Sequence, residues 1–213
     1  MEYFSIEYAL LAIQSALLKV VSPELRAVVI NLDIAKQTFF AQVYYDSDVS
    51  EELIDEWDCA IAEASADLGP DCFVHSAIKR LDYPEKIPLG GFIAYMRKED
   101  NSAHFTESGY SQVSIKEQSI SYALLATQQA LLAVVTPELR AVVVDFKNDE
   151  RLLYIRFFYD GEVSKSLTDL WQNASLKVRC DFGGNCVLDG QAERVDFPKP
   201  IPFRGRYAFL RKE

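Results

Sequence analysis

Tyr8 to Val29 reads YALLAIQSALLKVVSPELRAVV, and Tyr122 to Val143 reads YALLATQQALLAVVTPELRAVV. Each stretch holds two elements and the stop between them. Ile6, Leu10, Ile13, Leu17 and Val20 recur at three- and four-residue spacing in an Ala/Leu-rich run, which predicts a helix capped by Ser5, with Ser119 as its counterpart. Pro23 and Pro137 push the preceding residue out of helical angles, so the helix ends there. The apolar, β-branched run from Leu25 to Leu32 then predicts a strand. Sliding the chain by 114 positions extends the match without a gap to Ser5–Glu99 against Ser119–Glu213, with 41 of 95 pairs identical. A tandem duplication follows, with copies too long and too few for a solenoid.

Outward from the opening stretch, the periodicity keeps changing in a definite order. Phe39 to Tyr45 is an aromatic-rich strand forming a hairpin with Leu25–Leu32. Ser50 caps a second helix with Glu51 and Glu52 in its first turn, where Leu53, Trp57, Ala60, Ile61, Ala64 and Leu68 make the apolar face. Gly69-Pro70 breaks that helix, Cys72 to Leu81 predicts a third strand, Pro84 and Pro88 frame a loop, and Phe92 to Arg97 closes as a fourth strand. The expected fold is α+β: two αββαββ domains, each a four-stranded antiparallel sheet with two helices on one face, arranged as a pseudo-two-fold pair. The expected boundaries are 1–99, a polar linker at 100–118, and 119–213.

Composition narrows the function. The 213 residues carry 22 Lys and Arg against 32 Asp and Glu, a net charge of −10 that argues against a nucleic-acid partner. The longest apolar stretch, Tyr8 to Val21, is interrupted by Gln14, Ser15 and Lys19 and is too short for a membrane span. Acids at the N-terminus where a secretory signal carries cations lead to an expected cytoplasmic location. Four cysteines, Cys59, Cys72, Cys180 and Cys186, have neither CxxC spacing nor disulfide-scaffold density and are expected as reduced thiols.

The pattern Ala-Leu-Leu, Gln, Ala-Leu-Leu, Val-Thr-Pro-Glu-Leu-Arg-Ala-Val at Ala123 to Val142, with Tyr159-Asp160-Gly161 and the terminal Arg-Lys-Glu, resembles small uncharacterised bacterial proteins of about one-repeat length. The resemblance covers both copies. It implies a bacterial origin and a compact α+β domain, and such short acidic proteins include immunity-type inhibitors. The first copy departs from the pattern at Ser22, in place of Thr, and at Ser47, in place of Gly.

No catalytic, metal or cofactor constellation is expected. Gly90-Gly91 and Gly183-Gly184 fit turns and no phosphate-binding motif. Cys72 and His75 lie three apart on a strand and so point to opposite faces, which excludes a nucleophilic pair. Trp57 and Trp171 fall on the apolar helix face and read as core. The leading expectation is a non-catalytic protein-binding module, immunity-like or regulatory, whose partner is a basic protein. Its partner-binding residues are Glu51, Glu52, Asp55, Glu56, Asp58 and Glu63, because the aligned helix replaces most of these acids. Residues 5–99 hold 8 basic and 16 acidic residues, net −8, whereas 119–213 hold 13 and 12, net +1. Two alternatives stay open. One is an enzyme or small-ligand protein with a polar site at the seam between repeats, built from Arg26, Asp46, Arg80, Arg140, Asp160 and Arg194; the other is a structural, self-associating protein.

Overall fold

The computed structural model describes residues 5–18, 20–88, 90–99, 119–182, 185–202 and 205–213. The linker read at 100–118, with His104, and the Gly183-Gly184 pair lie outside the described residues. The chain divides into two compact units, one built on the first copy together with Lys212 and Glu213, the other on the second copy as far as Arg211.

In the first copy the elements run α1 (Ile6–Ala16), β1 (Leu25–Asp33), β2 (Thr38–Tyr45), α2 (Glu51–Leu68), β3 (Phe73–Arg80) and β4 (Phe92–Met96). The second repeats them as α3 (Ile120–Leu131), β5 (Leu139–Lys147), β6 (Leu152–Tyr159), α4 (Lys165–Phe182), β7 (Val187–Arg194) and β8 (Arg206–Leu210). Serine caps start all four helices of the described residues. The Ser5, Ser50, Ser119 and Ser164 hydroxyl oxygens accept from the backbone N–H groups of Tyr8, Leu53, Tyr122 and Leu167 at 3.2–3.4 Å. α2 ends at Gly69, whose φ of +95° suits a residue without a Cβ.

Each sheet is mixed, which corrects the all-antiparallel expectation. The strand order is β3-β2-β1-β4 in one copy and β7-β6-β5-β8 in the other. β1 pairs antiparallel with β2 and β4, but β2 and β3 run parallel, as do β6 and β7. The reason is the helix between them: α2 carries the chain back along the sheet, so the next strand enters in the same direction as the one before. β3 and β4 consequently lie on opposite edges and do not form a hairpin.

Sheet alternation divides the core in two. Val28, Ile30, Phe39, Ala41 and Val43 are buried on the helix side. There Trp57, fully buried, sits on α2, and in the second copy the Phe157 and Trp171 rings lie 6.0 Å apart. The buried Gln14 of α1 ties the helix layer to β4 by donating to the Ala94 carbonyl (3.2 Å). On the other face Ala27, Val29 and Tyr44 pack beneath Leu81 and Ile87 of the β3–β4 loop, and Ala141, Val143 and Phe158 beneath Val195 and Ile201. Where β4 and β8 begin, Gly91 and Gly205 pass so close to β1 and β5 that a Cβ would stand 2.4 and 2.5 Å from the Ile30 and Val144 carbonyl oxygens. Among the described residues, no helix is long and apolar enough to cross a membrane.

Candidate functional site

The capped α2 turns a buried face of Leu53, Trp57, Ala60, Ala64 and Leu68 to the sheet and α1. The helix repeats every 3.6 residues, so the acids between those positions stand on the opposite side. Glu51, Glu52, Asp55, Asp58 and Glu63 are exposed, and Glu56 is half-buried. Where α1 ends, its last residues and α2 leave a groove of about 590 Å³ between them. Its apolar wall is Ala16, Leu18, Val20 and Ala60, its rim Glu51, Glu52, Asp55, Glu56 and Glu63, and the Cys59 thiol also lines it. The structure therefore brings five of the six sequence-read acids to one groove. Asp58 is exposed on the same helix away from it.

Glu56 is already engaged. Within the first unit, the Lys212 ammonium donates to both its carboxylate oxygens, at 2.6 and 2.7 Å, and the Lys212 backbone N–H donates to the Val21 carbonyl (3.0 Å). The groove rim thus holds an amine in bidentate geometry.

The second copy keeps the apolar wall, with Ala130, Leu132, Val134 and Ala174 at the aligned positions, and changes the rim. Lys165, Ser166, Leu170, Gln172 and Lys177 replace Glu51, Glu52, Glu56, Asp58 and Glu63, while Asp169 matches Asp55. Over their eighteen residues α2 carries seven acids and no base, α4 two acids and three bases. That is a difference of eight charges, against nine between the whole copies.

The other six candidate residues fall into two similar clusters. In both copies the β1–β2 and β5–β6 registers slip at the arginine, between Leu25 and Ala27 and between Leu139 and Ala141. The extra residue re-aims the Arg26 and Arg140 side chains under the β3–β4 and β7–β8 loops. Arg26 is 1% exposed and makes four hydrogen bonds: it pairs with Glu99 through Nε (2.6 Å) and Nη2 (2.7 Å), and donates to the Leu81 (2.6 Å) and Glu85 (2.9 Å) carbonyls. The paired Glu99 raises its pKa further. Tyr83 covers the guanidinium, with its ring centroid 5.9 Å away. Arg140 likewise donates to the Val195 (2.5 Å) and Lys199 (3.0 Å) carbonyls beneath Phe197.

The acids finish the clasp. Asp46 accepts from Arg97 (2.9 Å) and from the Tyr83 N–H (2.9 Å), and these, the arginine first, hold its carboxyl below the usual range. Asp160 accepts from the Phe197 N–H (3.3 Å) and Arg211 (3.4 Å). Arg80 pairs with Asp82 and Asp48, Arg194 with Asp196. Asp82 and Asp196 are lowered by those arginines and then by the N–H groups of Ser47 and Gly161. Each copy thus spends its trio on fastening its own loop. Arg97 and Glu99, the other half of the first clasp, were visible in the sequence only as the repeated Arg-Lys-Glu, with nothing to mark their partners. The groove wall was missed for a similar reason: an open wall and a covered core have the same composition.

The four cysteines are free thiols, Cys59 and Cys180 exposed, Cys72 half-buried and Cys186 buried. Burial pushes the Cys72 and Cys186 thiols up, away from reactivity. Among the described residues no three His, Cys, Asp or Glu side chains are placed to hold a metal ion.

The family model described as MafI2 immunity protein matches residues 7–99 and matches again at 121–213. The two matched stretches are the two structural copies. No curated protein matches the chain.

Proposed function

We propose that this chain, which belongs to the MafI2 immunity protein family by the match of both its copies, neutralises a protein toxin by binding it, and that the acidic groove of the first copy is the contact. The family supports the immunity role and a toxin partner. The observation that carries the choice of surface is the contrast between α2 and α4: two helices at the same place on the same scaffold, each with an apolar inward face, of which one has seven acids and no base. A helix needs no such face to fold, since α4 does without it.

Capture by such a surface is non-covalent. Carboxylates along the rim attract a basic toxin surface from a distance, speeding encounter, and pair with Lys or Arg side chains once docked. Inhibition then follows from covering the toxin, and no acid or base in the groove transfers a proton. The polar trio is a weaker candidate because Arg26 and Arg140 are buried beneath their own loops, out of a partner's reach.

The test is survival. Cells producing a toxin that this chain neutralises live when the chain is co-produced and die when it carries Glu52→Lys, Asp55→Lys, Glu56→Lys and Glu63→Lys together. The variant keeps its circular dichroism and loses affinity about a hundredfold or more, four rim charges having been reversed. Undiminished protection by that folded variant would overturn the choice of surface; failure of the unaltered chain to protect overturns the immunity role.

A further inference from the structure

The groove has two chemistries, and the rim alone accounts for only one. Leu18 and Val20, at the end of α1, are only half-buried, and with Ala16 and Ala60 they form an apolar wall directly beside the carboxylates. A surface that only gathered cations, or only gave solubility, would not need apolar side chains left open among them. The volume of about 590 Å³ is enough for several side chains, and the rim residues are exposed, so an incoming chain meets an open trough. Glu56 gives a second, independent indication: it grips the Lys212 ammonium through both oxygens while the lysine backbone bonds to Val21 beside the wall. A lysine on a peptide backbone is therefore a ligand whose geometry this edge of the trough satisfies.

We infer that the groove takes an amphipathic segment of the toxin, in which an apolar side chain lies on Leu18 and Val20 and flanking Lys or Arg side chains pair with Glu52 and Glu63, on either side of the Glu56 that Lys212 already holds. The inference rests on the immunity reading and deepens it by naming the occupant. Apolar contact holds the complex together and the rim steers it. Charge complementarity selects this occupant over a two-fold dimer of the chain through the same groove, which would set carboxylates against carboxylates.

Cys59 provides the readout, since it lines the groove, while the exposed Cys180 of α4 has no counterpart there. The full chain is treated with a neutral maleimide, with and without the toxin used in the survival test, and each cysteine is followed by mass spectrometry. Occlusion in a packed interface slows Cys59 about tenfold or more, whereas Cys180 changes less than about twofold. In about 1 M salt, where the Debye length is about 3 Å, steering is gone and the residual affinity falls about tenfold on Leu18→Asp. If that variant loses its circular dichroism, the Cys59 measurement on the unaltered protein decides alone. A toxin that binds tightly yet leaves Cys59 as reactive as before overturns the inference and spares the immunity reading. No binding by the unaltered chain overturns both. A dimer of the chain alone, seen by light scattering and abolished by Leu18→Asp, assigns the groove to a second copy and also overturns it.

Discussion

α2 and α4 occupy the same place in two copies of one fold, and the five positions that α2 buries are apolar in α4 as well. Leu53 corresponds to Leu167, Trp57 to Trp171, Ala60 to Ala174, Ala64 to Val178 and Leu68 to Phe182. Away from the core the helices part, and most of the charge difference between the copies lies in those outward positions. Packing density constrains one side of each helix, since a change of even a methyl group is felt there, and leaves the other side free to diverge. Duplication has thus run a comparison in which the scaffold is held fixed and the surface varied. What varied is open to selection for binding, and what stayed is required for folding.

The largest expected effect tests the part that stayed. Arg26→Met removes the cation from a buried pair, leaves the Leu81 and Glu85 carbonyls without that donor and leaves Glu99 only the longer Arg97 contact (3.4 Å), which costs about 3–5 kcal/mol. Arg140→Met costs the second copy a similar amount, because its guanidinium fastens the equivalent loop. Urea unfolding of both variants checks the expectation, and a cost confined to one copy would break the equivalence of the scaffolds.

A smaller effect follows from acid. The Asp46, Asp82 and Asp196 carboxyls titrate lower in the folded chain than in the unfolded one, chiefly because Arg97, Arg80 and Arg194 hold their charged forms. Their contribution is complete above about pH 4, the ordinary unfolded value, and disappears as the pH falls below it through the lowered folded values. Melting temperature against pH should therefore drop on the acid side, and Asp82→Asn should flatten that drop. An unchanged slope in the variant would remove Asp82 from the clasp.

The smallest expected change is a gain. Ser47 and Gly161 hold the same turn with φ of +89° and +83°, and each donates its N–H to the aspartate across the loop, Asp82 or Asp196, at 2.8 Å. Serine pays for that angle and glycine does not, so Ser47→Gly should stabilise the first copy by about 0.5–1 kcal/mol. Calorimetry reads this as a rise of a few degrees; a fall would show that Ser47 contributes something its backbone does not.

Elements were legible in the sequence because periodicity records burial: the caps, the helix faces and the strands all follow from it. Direction was not legible. The residues of β3 read the same in either direction, and only the α2 crossover before it makes the pairing with β2 parallel. The loop from Leu81 to Ile87 likewise reads as a connection, yet it covers Ala27 and Val29 on the open sheet face. The acidic helix face was legible as a face, since charge and helical spacing sufficed. Its neighbour was not, because Leu18 and Val20 become a half-buried wall only through where the turn after α1 meets α2. Arg26 presented the hardest case: a register slip created by pairing decides which way its side chain points.

The clasp also imposes an order in time. Arg26 of β1 finds its carboxylate 73 residues later, at Glu99, and β1 gains its second neighbour only when β4 arrives. During synthesis the central strand of each copy therefore waits with one edge open while the hairpin, the crossover helix and the parallel strand are made. Contacts so distant along the chain are slow to close, since the loop entropy is lost before any pairing compensates it. The ribosome consequently delivers the chain in two instalments, each closed by its own last strand.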